Sequence, residues 1–222
     1  MNITETPAFR LTADCIWNAF RISGKRHLLL TGGRKSGKTT LLSKLLPSPL
    51  PGVTTWAVPG KAVYLKEHQG GKTAQVGRFD PGLPGLELKM RPVMEGFYTL
   101  GIPALHRCSR SESPWIHIDE IGYLESSCPP YCDAIRHLME KKRLIGAVRK
   151  QELPFLIELC RRRDVFLVDL DEPFGRLGCV IMASGLGRRF GGHKLMADFQ
   201  GKPLIQWILD ATDGIFARRV VV

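Results

Sequence analysis

Short apolar runs of strand length alternate along the chain with segments whose apolar residues recur at helical spacing. His27-Leu-Leu-Leu-Thr31 is one such run, entering a glycine-rich turn, and residues 38–46 follow as a helix stopped by Pro47. The Pro- and Gly-rich stretch 47–60 reads as loop. Residues 61–79 alternate as a β-hairpin, with Gly70-Gly71 supplying the positive φ of a tight turn, and a second Gly/Pro loop spans 80–85. Trp115-Ile-His-Ile-Asp119 reads as a strand, residues 131–143 as a helix presenting Ile135, Leu138 and Met139 on one face, and Leu144–Val148 as a strand. A helix at 153–162 and a strand at 165–170 follow. This alternation predicts an α/β fold, with parallel strands joined by helical crossovers.

The pattern restarts after residue 170. Gly178-Cys-Val-Ile-Met-Ala183 is a new strand leading into a second glycine-rich turn, and Arg218-Arg-Val-Val-Val222 is strand-like again. The expected organisation is an N-terminal extension over 1–24, a first domain over 25–172, a boundary near 172–177 and an incomplete second domain over 177–222. No internal repeat of fixed period is present.

Composition narrows the class. The chain has 222 residues, of which 44% are hydrophobic and 24% charged, with a mean hydropathy of −0.06, so disordered, collagenous and disulfide-scaffold readings fall away. No apolar run approaches the roughly 18 residues of a membrane span, and the N-terminus lacks a basic-then-apolar leader, so a cytoplasmic protein is expected. A formal charge of +11 favours anionic partners. The basic residues are nevertheless scattered in short clusters, at 141–143, 161–163, 188–189 and 218–219, which makes a solvated surface the default and nucleic-acid binding the minority reading. Six cysteines in such a chain are expected to be reduced thiols. Cys128 and Cys132 have the spacing of half a zinc site, with His106 and Cys108 as the nearby candidates to complete it. No second close pair fills the ligand count, so buried thiols are the default.

Gly32-Gly-Arg-Lys-Ser-Gly37-Lys38-Thr39 matches G-x-x-x-x-G-K-[ST], and it stands where such a phosphate loop works, between a strand and a helix. Its glycines let backbone N–H groups curl around phosphate oxygens, and the helix N-terminus adds partial positive charge. Gly32, Gly33, Arg34, Lys35, Ser36, Gly37, Lys38, Thr39 and Thr40 are therefore the expected nucleotide-binding residues. Lys38 would reach the β- and γ-phosphates, and the Thr39 hydroxyl would ligate Mg²⁺.

The apolar strand ending in Asp119-Glu120 supplies the second half of such a site, a carboxylate at the tip of a strand neighbouring the phosphate loop. Asp119 would hold Mg²⁺ and Glu120 would act on the attacking water as general base. The bland alternative is that Glu120 is a solvated loop acid. For an arginine finger, Arg149 and Arg163 are candidates, a surface role being the default for each.

Gly32–Thr39, the hairpin around Gly70-Gly71, residues 76–80, residues 101–105 and above all Ile118-Asp-Glu-Ile-Gly-Tyr-Leu-Glu125 resemble the small P-loop nucleoside-triphosphatases of broad nucleotide preference. The resemblance covers about residues 25–172. It implies the three-layer parallel sheet of P-loop NTPases and Mg²⁺-dependent hydrolysis of ATP or GTP, with Lys38 and Glu120 catalytic and Thr39 and Asp119 on the metal. Arg34-Lys35 makes the loop more basic than the family's usual Pro/Gly-rich version, and residues 81–93 align poorly, which leaves the preferred base open.

Residues 181–195, with Gly185, Gly187, Arg189 and Lys194, followed by Gly201-Lys202-Pro203-Leu204, resemble the opening of the nucleotidyltransferases that activate sugars and molybdopterin, nearest to the molybdopterin cytidylyl- and guanylyltransferases. Ser184 stands for an alanine, Gly187 for a serine and Phe190 for a methionine. The resemblance implies a Rossmann-like α/β domain whose loop grips a nucleoside triphosphate, Lys194 matching the phosphate-contacting lysine. The later metal-binding aspartates are absent, so the chain is expected to be the N-terminal part of a longer fusion and not to transfer nucleotides. The expectation is thus an NTPase fused to a transferase-like segment, with the rest of the transferase domain or molybdenum-cofactor enzymes as partners. A regulatory or adaptor module with little turnover, and a small-molecule kinase, stand as alternatives.

Overall fold

The computed structural model describes residues 11–46, 49–83, 89–172, 178–185, 191–213, 215–216 and 218–222. Two compact units divide the chain, one of residues 12–171 and one containing residues 172–222. The expected boundary at 172–177 lies, apart from Glu172, outside the described residues.

The apolar runs of the larger unit become strands because they are buried. In chain order they are β1 (His27–Thr31), β2 (Gly52–Val58), β3 (Ala62–Glu67), β4 (Thr73–Phe79), β5 (Met90–Pro92), β6 (Trp115–Ile121), β7 (Arg143–Val148) and β8 (Val165–Asp169). They form one sheet in the order β5-β4-β3-β2-β6-β7-β1-β8. The strands β2, β6, β7, β1 and β8 run parallel, and β3, β4 and β5 extend the sheet antiparallel beyond β2. All five residues of β1 are buried, as a central strand covered on both faces requires.

The helices are α1 (Ala13–Ser23), α2 (Lys38–Leu45), α3 (Met94–Gly96), α4 (Ile102–Arg110), α5 (Tyr123–Ser126), α6 (Pro129–Lys141) and α7 (Pro154–Arg161). A π-turn, Phe97–Gly101, joins α3 to α4. α1 and α2 pack together over β1, β7 and β8, while α4 packs on α6 and on β2. Leu29, Phe97, Ile116, Ile118, Tyr131 and Leu138 are among the fully buried side chains of the resulting core. No helix among the described residues is long and apolar enough to cross a membrane.

Three readings of the sequence are corrected. The stretch 47–60 is not all loop, because Val53-Thr-Thr-Trp-Ala-Val58 forms most of β2; the prolines before it masked a β-branched and aromatic run of high strand preference. Residues 13–23, expected within an extension, form α1, whose Thr12 cap accepts the Cys15 N–H at 3.2 Å and whose Ile16 and Phe20 are buried. Residues 94–110, for which no element was expected, are helical. Gly96 and Gly101 obscured that pattern, yet both are required by packing: a Cβ at Gly96 would lie 2.1 Å from the Gln75 carbonyl oxygen, and one at Gly101 2.9 Å from the Tyr131 ring.

In the smaller unit β9 (Gly178–Ile181) pairs in parallel with β12 (Arg218–Val221), and β10 (Asp198–Phe199) pairs antiparallel with β11 (Lys202–Pro203) ahead of α8 (Leu204–Ala211). Among its described residues only Ile181 and Thr212 are buried. Val180, Met182 and Val220 stand more than half exposed.

Candidate active site

The phosphate loop leaves β1 at Gly32 and enters α2 at Lys38. Gly37 caps the helix with φ 88°, a left-handed value suited to glycine. Lys38 folds back over the loop, its Nζ donating to the Gly32 and Gly33 carbonyls at 2.8 Å each and to Ser36 Oγ at 3.2 Å. Burial lowers the Lys38 pKa, opposed by the nearby Glu120 and Asp171 carboxylates. The loop is braced from the segment just after β8: the Gly33 N–H donates to both Asp171 oxygens at 3.0 and 3.1 Å, and Lys150 Nζ bridges Asp169 at 2.8 Å and Asp171 at 3.2 Å. Asp171 and Lys150 had no motif to announce them.

The acids arrive from a different place than expected. β7 stands between β1 and β6, so Asp119 and Glu120 lie on the next strand but one from the phosphate loop, not on its neighbour. They also lie inside β6, which continues to Ile121. The β6–β7 register slips between Ile118 and Ile121, and Glu120 takes φ 71°. This bulge turns a strand that alternates inside and outside into one that delivers two consecutive carboxylates to the same cavity. Left-handed φ at a non-glycine residue is a strained arrangement that clusters at functional sites.

Asp119 is buried, and burial together with the adjacent Glu120 raises its pKa. Glu120 is paired with Arg149 Nε. Arg149 is therefore not the surface arginine expected from the sequence; it is half-buried and lines the cavity. Arg163 is on the surface. A further buried acid, Glu125, accepts the Gly122 N–H at 2.8 Å and the Thr55 hydroxyl at 3.3 Å, and burial raises its pKa. It closes the first turn of α5 as the third residue after the cap, a position legible in Gly122-Tyr-Leu-Glu125.

One cavity of about 720 Å³ unites these groups: residues 32–40 of the loop, Asp119, Glu120, Glu125, Arg149 and Lys150, with Thr55, Trp56 and Met90 on the wall beyond. That volume falls within the range of small-ligand sites. Among the described residues no group of three or more His, Cys, Asp or Glu is arranged to hold a metal. Mg²⁺ asks for less, one or two protein oxygens with the rest from phosphate and water. A buried carboxyl at Asp119 and a hydroxyl at Thr39, on the first turn of α2, fit that demand. The half-site imagined at Cys128 and Cys132 is different: both thiols and Cys108 are buried in the core, and His106 is exposed.

Of the second loop, Gly185 and Lys194 are exposed, Lys194 opening a short 3₁₀ turn. Gly187 and Arg189 lie outside the described residues.

Comparison with known proteins finds relatives for both parts of the chain. Residues 27–173 fit the family model described as NTPase, and residues 179–222 fit that of the MobA-like NTP transferase domain. The cancer-related nucleoside-triphosphatase homolog of Mus musculus is 30% identical over 162 residues, covering 63% of this chain and 85% of its own. The crystal structure of THEP1 from the hyperthermophile Aquifex aeolicus superposes with a TM-score of 0.55 at 25% identity, over 65% of this chain and 89% of that one. The solution structure of a human cancer-related nucleoside triphosphatase gives a TM-score of 0.50 at 25% identity, over 65% and 88%.

Proposed function

Because the chain belongs to the nucleoside-triphosphatase family whose model spans residues 27–173, we propose that it hydrolyses ATP or GTP to the diphosphate and phosphate in the cytoplasm, with Mg²⁺. The observation that carries the mechanism is the convergence of Lys38, Asp119 and Glu120 on one cavity from separate elements. In this reading the loop amides after Gly33, those of residues 34–38, and Lys38 grip the β- and γ-phosphates. Thr39 and Asp119 would hold Mg²⁺, which would supply neutralisation of the phosphate charge. Glu120 accepts a proton from water as that water attacks the γ-phosphorus. The Asp171 brace keeps the Gly33 end of the loop in shape, leaving the later amides of the loop to the phosphates.

Purified protein assayed for Mg²⁺-dependent phosphate release tests this, with Lys38→Ala and Glu120→Gln as controls. Both variants are expected to lose activity by roughly a hundredfold or more. Equal background rates in all three proteins would overturn hydrolysis and favour a nucleotide-binding module.

The wider role we infer is in molybdenum-cofactor maturation. Its support is the MobA-like match over residues 179–222, since the triphosphatase residues carry no pathway information. Loss of the gene should then lower the activity of molybdenum enzymes in the cell; unchanged activity would remove this part of the reading alone.

A further inference from the structure

The hydrolytic reading gives work to Lys38, Thr39, Asp119 and Glu120 and leaves Arg149 aside, although its position is elaborately built. The Arg149 N–H donates to the Ile121 carbonyl at 2.9 Å, continuing the β6–β7 pairing past the bulge. Its aliphatic stem lies across Gly122, where a Cβ would come within 2.9 Å of Arg149 Cδ. The stem is thus seated on a residue that has no side chain to displace it. At its far end Nε donates to Glu120 Oε1, while the two terminal nitrogens make no hydrogen bond among the described residues. The neighbouring cation, Lys150, is already committed to Asp169 and Asp171.

The pair is also placed to sense phosphate. Lys38, which marks where the β- and γ-phosphates would lie, lines the same cavity as Glu120 and Arg149. A guanidinium held by one nitrogen keeps most of its fork free, and a phosphate offers it two parallel hydrogen bonds and more charge than a carboxylate does.

We propose that Arg149 is a latch on Glu120. Without nucleotide the guanidinium occupies the carboxylate. A bound triphosphate draws it to the γ-phosphate, which frees Glu120 to take a proton from water as the new O–P bond forms and the bond to the β-phosphate oxygen breaks. A diphosphate brings no γ-phosphate, so the latch stays closed. The proposal rests on the hydrolytic reading for its second half, whereas the exchange of partners can be read by binding alone.

The test is a binding cycle on the full chain, using a non-hydrolysable triphosphate analogue and ADP, each with Mg²⁺, against wild type, Glu120→Gln, Arg149→Ala and the double variant. Arg149→Ala is expected to weaken the analogue about tenfold and ADP less than twofold. Glu120→Gln is expected to tighten the analogue severalfold when Arg149 is present and hardly at all when it is absent. Removing a carboxylate relieves repulsion toward any triphosphate, so it is the non-additivity that identifies the latch. In turnover, Arg149→Ala should lower kcat on the order of a hundredfold with a smaller change in KM, and Arg149→Lys should restore part of it. ADP affinity reports that each variant keeps a folded phosphate loop.

Equal tightening by Glu120→Gln in both backgrounds, or equal effects of Arg149→Ala on both nucleotides, would overturn the latch. Additive binding with normal phosphate release would remove the latch alone. Absence of phosphate release from the wild type would remove the hydrolytic reading, whatever the cycle shows.

Discussion

At the scale of single residues, His27 shows what burial does to a titrating group. It opens β1 with no exposed side-chain surface, and its Nδ1 accepts the Leu144 N–H at 3.1 Å, which leaves the hydrogen on Nε2, 3.3 Å from the Asp164 carboxylate. Burial lowers its pKa to about 4, Asp164 opposing and Arg162 and Arg26 reinforcing the shift. The folded protein therefore keeps His27 neutral where the unfolded chain protonates it. Stability from this residue is complete above pH 6.5 and is lost as pH falls from there to about 4, with about 3 kcal/mol at stake. Thermal midpoints measured across that window should decline toward acid, and His27→Gln, which preserves an acceptor for Leu144, should flatten the decline. An equal slope in the variant would assign the acid loss to other groups. The sequence placed His27 in a strand; its titration depends on Leu144 and Asp164, both more than 100 residues away, so no local pattern announced it.

At the scale of elements, close approach governs the central strands. A Cβ at Gly146 in β7 would stand 2.2 Å from the Ile118 carbonyl of β6. Gly146→Ala should therefore push apart the strand that carries the acids and the strand that leads into Arg149, destabilising the protein by about 3 kcal/mol. Urea midpoints would show it, and a loss under about 0.5 kcal/mol would mean that the strands part easily. Gly122→Ala makes a subtler demand. Its Cβ meets the flexible Arg149 stem rather than backbone, so the expected effect is on triphosphate affinity more than on stability. What the sequence made legible at this scale was local: the phosphate loop between strand and helix, the apolar run before Asp119-Glu120, the hairpin at Gly70-Gly71. What it hid was relational. The strand β2 sat behind prolines, the helical stretch 94–110 was punctuated by glycines that packing demands, and β7 entered between the two motif-bearing strands. The pairing of Glu120 with Arg149 needed the β6 bulge, which has no signature in residue types.

At the scale of the whole molecule, the two units differ in what sustains them. The larger holds an eight-stranded sheet and the entire cavity, whereas the described part of the smaller buries only Ile181 and Thr212. A chain ending at residue 172 should keep phosphate release within about twofold and its main unfolding midpoint within a few degrees, as expected of a domain with its own core. Loss of either property would show that the smaller unit supports the larger.

The topology also gathers charge that looked scattered. Lys25-Arg26, Lys141 to Arg143 and Arg161 to Arg163 cluster at the starts of the adjacent parallel strands β1, β7 and β8. They meet at the end of the sheet opposite the phosphate loop. There Arg26 donates to the Glu140 carbonyl near the end of α6 at 2.8 Å and Lys25 to that of Arg163, while Arg162 is paired with Asp164 at 2.8 Å. At the loop end, by contrast, Asp119, Glu120, Asp169 and Asp171 offset the lysines and arginines. The larger unit is accordingly polarised along its strands. On a negatively charged resin or electrode an excised chain of residues 12–171 would land with the strand starts downward, a self-orienting immobilisation that leaves the nucleotide cavity open to the flowing solution.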